Sequence, residues 1–217
     1  MDPSTRPQGG LNVREHKTLG VYVQDLTKHP VDCYEAIEAK MEEGTCNRSL
    51  GATQMNATSS RAHTVITIDF KQIEIEGGRP LEKQSTINLV DLAGSEKAGQ
   101  TGAVGDRLKE GCAINKSLTV LGQCISTLAD KAMGKAKNTV VPYRDAKLTR
   151  ILQTALGGNS KTIMICALSP SYMNYEETLG TLRYADRAKK IKNCAVINES
   201  VQDKIIRELK EENKKLK

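Results

Sequence analysis

Aromatic residues are scarce in this chain, which has no tryptophan, one phenylalanine (Phe70) and six tyrosines. Proteins that hold single-stranded nucleic acid stack its bases on aromatic side chains, so a nucleic-acid partner is not expected. Paired cysteines are missing too. Cys33, Cys46, Cys112, Cys124, Cys166 and Cys194 show no C-x-x-C spacing, which argues against a disulfide framework or a zinc site. They read as small buried hydrophobes in a reducing compartment. The longest apolar run, around Ile163 to Leu168, falls far short of the ~20 residues that cross a bilayer. No charged-then-apolar start resembles a signal peptide. A cytoplasmic protein with no membrane insertion is the expectation.

What is present suits one sizeable folded domain: 217 residues, 38% hydrophobic and 27% charged. The net charge of +6, from 32 Lys and Arg against 26 Asp and Glu, favours an acidic partner surface without naming it. A mildly basic protein with no such partner fits the charge equally well.

The periodicities predict an α/β chain. Val13, Leu19, Val21 and Val23 suggest short strands. A helix is expected from Asp32 as N-cap, with Gly44 near its end. Ile66, Ile68 and Phe70 alternate as in a strand, Ile73 and Ile75 continue it, Gly77-Gly78 marks a turn, and Thr86 to Val90 is the next strand. The strongest helix runs from Arg107 to Asp130, where Ile114, Leu118, Leu121, Ile125 and Leu128 recur at spacings of 4, 3, 4 and 3. Ala146 to Leu156 is a further helix closed by Gly157-Gly158. The near-continuous apolar run from Lys161 to Leu168 reads as a strand covered on both faces. Asn174 with Glu177 forms a capping box for a helix that reaches about Ile191. In the charged tail from about Gln202, Ile205, Leu209 and Leu216 fit a heptad seam too short to establish a coiled coil.

Two segments carry chemistry. Ile87 to Val90 is an apolar strand that ends in Asp91-Leu92-Ala93-Gly94. Many nucleotide triphosphatases end a strand this way: the Asp holds Mg²⁺ through water, and the Gly offers a bare N–H to the terminal phosphate. Asp-x-x-Gly alone is weak, since a strand and a turn give the same pattern. The second segment, Asn56-Ala57-Thr58-Ser59-Ser60-Arg61-Ala62-His63, packs hydroxyls, an Arg and a His just before a strand. Hydroxyls suit Mg²⁺ and phosphate oxygens, and Arg61 can latch onto a carboxylate such as Glu96. A serine-rich turn is the plainer reading of this cluster.

Together, and in this order, these segments resemble a kinesin motor domain. Ile114-Asn115-Lys116-Ser117-Leu118, Val141-Pro142-Tyr143-Arg144-Asp145, Leu156-Gly157-Gly158-Asn159-Ser160 and Leu182-Arg183-Tyr184-Ala185 extend the match. Val13-Arg14-Glu15-His16, Leu108-Lys109-Glu110-Gly111 and Ala195-Val196-Ile197-Asn198-Glu199 look most like the vesicle-transporting third kinesin family. The resemblance covers about the C-terminal two-thirds of a motor domain. It implies an incomplete kinesin-type P-loop NTPase fold, a central mixed β-sheet flanked by helices. Residues 1–189 would be the partial motor domain, 190–200 the neck linker, and 201–217 the start of a charged neck helix able to dimerise in a longer chain.

The resemblance also implies roles. Asn56, Ser59 and Ser60 would belong to the first switch, with Ser60 near Mg²⁺. Asp91 and Gly94 would form the second, and Arg61 with Glu96 the bridge that closes over the phosphate of ATP. Lys97, Asn115, Lys116, Arg144, Lys147 and Arg150 match the face that binds microtubules, whose tubulin surface is acidic. For any single lysine, a solvated helix face is the alternative. The loop from Lys131 to Lys137 is less basic than the third family's lysine-run loop. Ala62 stands where the family has a hydroxyl, and Cys112-Ala113 where it has Ala-Asn.

The phosphate-gripping Gly-x-x-x-x-Gly-Lys-Ser/Thr loop is not in the chain. Gly99-Gln100-Thr101-Gly102 begins like it but lacks the Lys and the final hydroxyl, and Gly157 to Thr162 lacks the spacing. The expectation is therefore a chain that begins inside a domain, as a truncated product or an incomplete gene model, with open sheet edges. By family it is an ATPase; by itself it is expected to be inactive. The function expected is part of an ATP-driven microtubule motor on the cytoskeleton. The alternative is a nucleotide-independent microtubule-binding fragment or pseudo-motor.

Overall fold

The computed structural model describes residues 10–17, 20–53, 62–76, 79–94, 106–136, 138–198 and 201–216. They fall into two compact units, Met1–Ala62 with Ala93–Ala195, and His63–Leu92 with Val196–Lys217.

In the first unit, β1 (Val13–His16) and β2 (Gly20–Val23) form a small antiparallel hairpin, with Arg14 opposite Tyr22 and Glu15 opposite Val21. Helix α1 (Tyr34–Thr53) follows. It runs through Gly44 instead of ending near it. One glycine costs a helix interior about 1 kcal/mol, which flanking helix formers such as Glu42 and Glu43 can offset.

The packing centre is α2 (Asp106–Ala132), which exceeds the expected helix by one residue at its start and two at its end. Leu121 and Ile125 from its apolar stripe meet Leu148, Leu152 and Leu156 in the buried cluster. Leu148 belongs to α3 (Lys147–Ile151), while Leu152 and Leu156 lie in the turns that follow. Regular helix stops at Ile151 because the chain tightens there: Gln153 N–H bonds the Arg150 carbonyl and Ala155 N–H the Leu152 carbonyl, both three residues back. Partly buried Leu128, Tyr143, Tyr184, Ala188 and Ile191 close the cluster. Tyr184, Ala188 and Ile191 bring in α4 (Tyr175–Lys189) and the residues just after it. Each fully buried aliphatic side chain contributes about 1.5–3 kcal/mol, so this cluster holds the unit together.

Thr149 is fully buried, and its hydroxyl lies 2.8 Å from the Tyr143 carbonyl and 3.0 Å from that of Ala146. The single-turn helix Tyr143–Asp145 is thus tied to α3. Cys124 is fully buried, whereas Cys33, Cys46, Cys112 and Cys194 are exposed. The reading of all six as buried hydrophobes holds for Cys124 and fails for these four.

Two further expectations are corrected. Residues 161–170 have no regular secondary structure, and Ile163 and Ile165 are 89% and 93% exposed. A strand exists only against a neighbour, and among the described residues none pairs with this run. Asn174 does occupy the N-cap of α4, but its side chain makes no capping bond. Its amide instead donates to Ser169 Oγ at 2.9 Å, and Ser171 caps the preceding single turn Tyr172–Asn174.

The second unit is a long hairpin of β3 (Thr64–Glu76) and β4 (Arg79–Asp91), together with α5 (Val201–Leu216). Pairing is antiparallel and unbroken from Thr64 opposite Asp91 to Glu76 opposite Arg79. The second strand is much longer than Thr86 to Val90. Its polar face carries cross-strand bonds, Thr67 to Asn88 at 2.8 Å and Thr86 to Asp69 at 3.1 Å. Among the described residues the strands form two antiparallel pairs, with no joined mixed sheet. On α5, Ile205, Leu209 and Leu216 are exposed.

Candidate functional site

The register of the long hairpin fixes where the chain leaves the first chemical segment and where it enters the second. Asp91 is the last residue of β4, and its cross-strand partner is Thr64, the first of β3. Thr64 and His63 follow directly on the Ser59-Ser60-Arg61 segment. Partnered residues in an antiparallel pair stand about 4.5–5.5 Å apart at Cα. The chain therefore leaves the first segment and enters the second from adjacent positions at one end of the hairpin, although Thr64 and Asp91 stand 27 positions apart in sequence.

The surroundings suit a carboxylate that works in solvent. Asp91 is exposed, while Ala93 is buried and Gly94 half-buried. Burial holds the His63 imidazole below its ordinary pKa and so favours its neutral form. Asn56, Ser59, Ser60, Arg61, Glu96 and Lys97 lie outside the described residues. Among the described residues no cluster of three or more His, Cys, Asp or Glu could hold a metal by itself. The described oxygen groups here are the Asp91 carboxylate and, on its cross-strand partner, the Thr64 hydroxyl, both hard-oxygen donors of the kind that suit Mg²⁺.

Basic side chains of the first unit lie on α2, on the single turn Tyr143–Asp145 and on α3. Lys116 is exposed on α2 and Asn115 beside it is half-buried, its carbonyl accepting from Thr119 Oγ1 at 2.7 Å. Arg144, Lys147 and Arg150 come from the single turn and α3, which the core seats against α2. Arg144 Nη2 donates to Glu15 Oε2 on β1 at 3.0 Å. Lys147 Nζ lies 3.4 Å from the Leu11 carbonyl. The small hairpin and the basic segment are thus fastened together. Glu15 is a residue that sequence reasoning passed over; it served only as part of a resemblance motif.

The residues after α4 run back over the core unit. Asn193 Nδ2 lies 2.9 Å from the Ala155 and Ser160 carbonyls and 3.1 Å from Thr162 Oγ1. Its Oδ1 accepts from Gly157 N–H at 2.7 Å, and Cys194 N–H reaches the Gly158 carbonyl at 3.0 Å. In the second unit, Gln84 N–H of β4 donates to the Asn198 carbonyl at 3.3 Å. Asn193 carried no signal in the sequence, because its partners lie more than 30 positions away.

The kinesin motor domain family model matches residues 2–191. The chain is 55% identical to kinesin-like protein KIF13A of Mus musculus over 219 residues, spanning 100% of this chain and 12% of that protein. It is also 55% identical to kinesin-like protein KIF1B of Homo sapiens, over 97% of this chain and 12% of that protein. A solved KIF14 dimer, in the two-heads-bound state with AMP-PNP on a microtubule, superposes with a TM-score of 0.80 at 46% identity. The match covers 92% of this chain and 55% of that one.

Proposed function

The chain belongs to the kinesin motor-domain family and within it is most like the kinesin-3 group; from this premise we propose that it carries the nucleotide switches and the filament-binding surface of an ATP-driven microtubule motor. The observation that supports this most is the pairing of Thr64 with Asp91, which sets the ends of the two switch segments side by side. A γ-phosphate sensor needs that adjacency, because one phosphate must be felt by both loops at once.

The residue roles follow from the family resemblance. Asn56, Ser59 and Ser60 would offer an amide and hydroxyls to phosphate oxygens and to Mg²⁺. Asp91 would hold the cation through water, and Gly94 would offer a bare backbone N–H to the phosphate. Arg61 and Glu96 would pair to close the site and position the attacking water. When bound, Mg·ATP supplies the phosphoryl group and the cation that neutralises its charge. The protein supplies position and preorganised charge, which is most of what phosphoryl transfer requires.

The filament surface in this reading is Lys97, Asn115, Lys116, Arg144, Lys147 and Arg150, meeting the acidic face of tubulin. Residues 1–189 are the motor portion, 190–200 the neck linker and 201–217 the start of a neck helix that dimerises in a longer chain. Asn193 and Asn198 suit a linker, since the first binds the Ala155–Thr162 loop and the second the edge of β4. The protein's place is the cytoplasmic microtubule cytoskeleton.

A second reading applies to these 217 residues acting alone. They contain no Gly-x-x-x-x-Gly-Lys-Ser/Thr, so binding to microtubules without ATP turnover is the activity they support by themselves. Microtubule co-sedimentation with no nucleotide, ATP or AMP-PNP tests both. Pelleting that ignores nucleotide supports the filament surface and the second reading. Release by ATP supports a complete motor cycle. No pelleting at low salt removes the filament surface altogether.

A further inference from the structure

The Arg144–Glu15 pair joins two segments 129 residues apart. The Arg144 side chain is 79% exposed and that of Glu15 41%. Such a pair adds little to folding, because water solvates both groups nearly as well as they solvate each other. Its consequence lies in what it does to the guanidinium. An arginine binds a partner carboxylate best through two parallel N–H bonds, and the terminal nitrogens supply that fork. Glu15 already occupies Nη2, one of those two nitrogens, at 3.0 Å. An incoming acidic side chain must displace Glu15 or accept a poorer, one-pronged contact.

The neighbouring Lys147 reaches the backbone carbonyl of Leu11 at 3.4 Å. Arg14, next to Glu15 on β1, turns across the hairpin to Gln24 Oε1 at 3.1 Å. Glu15 thus places a carboxylate in direct contact with a basic side chain of this segment.

We infer that Glu15 is an internal competitor for Arg144: it weakens this surface toward an acidic filament and thereby sets the affinity. The inference rests on the microtubule-binding reading above. It makes β1 a determinant of filament affinity through a charge that opposes binding. The exchange needs no change of fold, since both side chains reach solvent and Glu15 can swing away when tubulin carboxylates arrive.

The test is a double-mutant cycle on the 217-residue chain, read by microtubule co-sedimentation across a salt series. Glu15→Gln is expected to tighten binding about threefold at low salt, the scale of an exposed ion pair, and the gain should shrink as salt screens it. Glu15→Lys should tighten it further. Arg144→Gln should weaken binding, and by more in the Glu15→Gln background than in the native one. Thermal melts of each variant check that the fold is retained. If Arg144→Gln weakens binding but Glu15→Gln leaves it unchanged or weaker, the competitor role is overturned and the filament surface stands. If Arg144→Gln changes nothing in either background, the place of Arg144 on that surface falls, and the inference falls with it.

Discussion

Replacing Asn193 should release the segment after α4 from the core. Its amide nitrogen carries two hydrogens and faces three acceptors, the Ala155 and Ser160 carbonyls and Thr162 Oγ1, while its oxygen holds Gly157 N–H. Two hydrogens and one accepted bond amount to three bonds, each worth a net ~1 kcal/mol. The site is partly exposed, so water replaces some of them, and Asn193→Ala should cost about 2 kcal/mol. Amide exchange at Gly157 is the sharpest assay: where opening is limited by this contact, about 2 kcal/mol is an acceleration of about 30-fold. Asn193→Asp separates the donor role from simple occupancy. It keeps the acceptor for Gly157 but sets a carboxylate against three oxygens, so it should be at least as harmful as the alanine. Unchanged Gly157 exchange in Asn193→Ala, or native stability in Asn193→Asp, would refute the reasoning.

Four further outcomes are expected. Leu121→Ala, at the α2–α3 contact, should lower unfolding free energy by about 2–5 kcal/mol in urea titrations, whereas Leu216→Ala on exposed α5 should be near neutral. Gly157→Ala should destabilise by about 1–2 kcal/mol from the left-handed backbone alone. At φ +81° its Cβ would also lie 2.8 Å from Leu128 Cδ2, so a melt equal to the native protein would argue against this turn. Burial, aided by the Asp145 charge, pushes the Cys124 thiol up to about 11, and burial first of all pushes Tyr184 up to about 12. Both are acids whose neutral form the fold favours. The stability they contribute is complete below their unfolded pKa values and drains away as pH rises through about 11 and about 12. Thiol titration should find Cys33, Cys46, Cys112 and Cys194 reactive in the native protein, and Cys124 reactive only once it unfolds.

Local signals carried much of the fold. The apolar spacing from Ile114 to Leu128 placed α2 to within two residues, and the alternation of Ile66, Ile68 and Phe70 placed β3. Boundaries that depend on packing were not legible. Gly44 is a local stop signal that α1 overrides, and Lys161 to Leu168 has strand composition without a neighbour to make it one. Asn174 could cap α4 by its type, but its side chain is held by the bond its amide nitrogen donates to Ser169 and makes no capping bond. In the candidate site, Asp91 and Gly94 stood out because a carboxylate and a glycine at that spacing have a specific chemistry. The pairing of Asp91 with Thr64 needed the hairpin register, and the Glu15–Arg144 contact needed the fold, since nothing in a linear sequence joins residues so far apart.

The proposal that these residues are γ-phosphate sensors is tested most directly by giving them a phosphate to sense. The chain would be joined to a kinesin segment that carries Gly-x-x-x-x-Gly-Lys-Ser/Thr, and ATP hydrolysis measured with and without microtubules. The expected result is microtubule-stimulated turnover that falls by about 10²-fold or more in Asp91→Ala and in Gly94→Ala, as when a preorganised transition-state contact is removed. Turnover indifferent to both substitutions would contradict it.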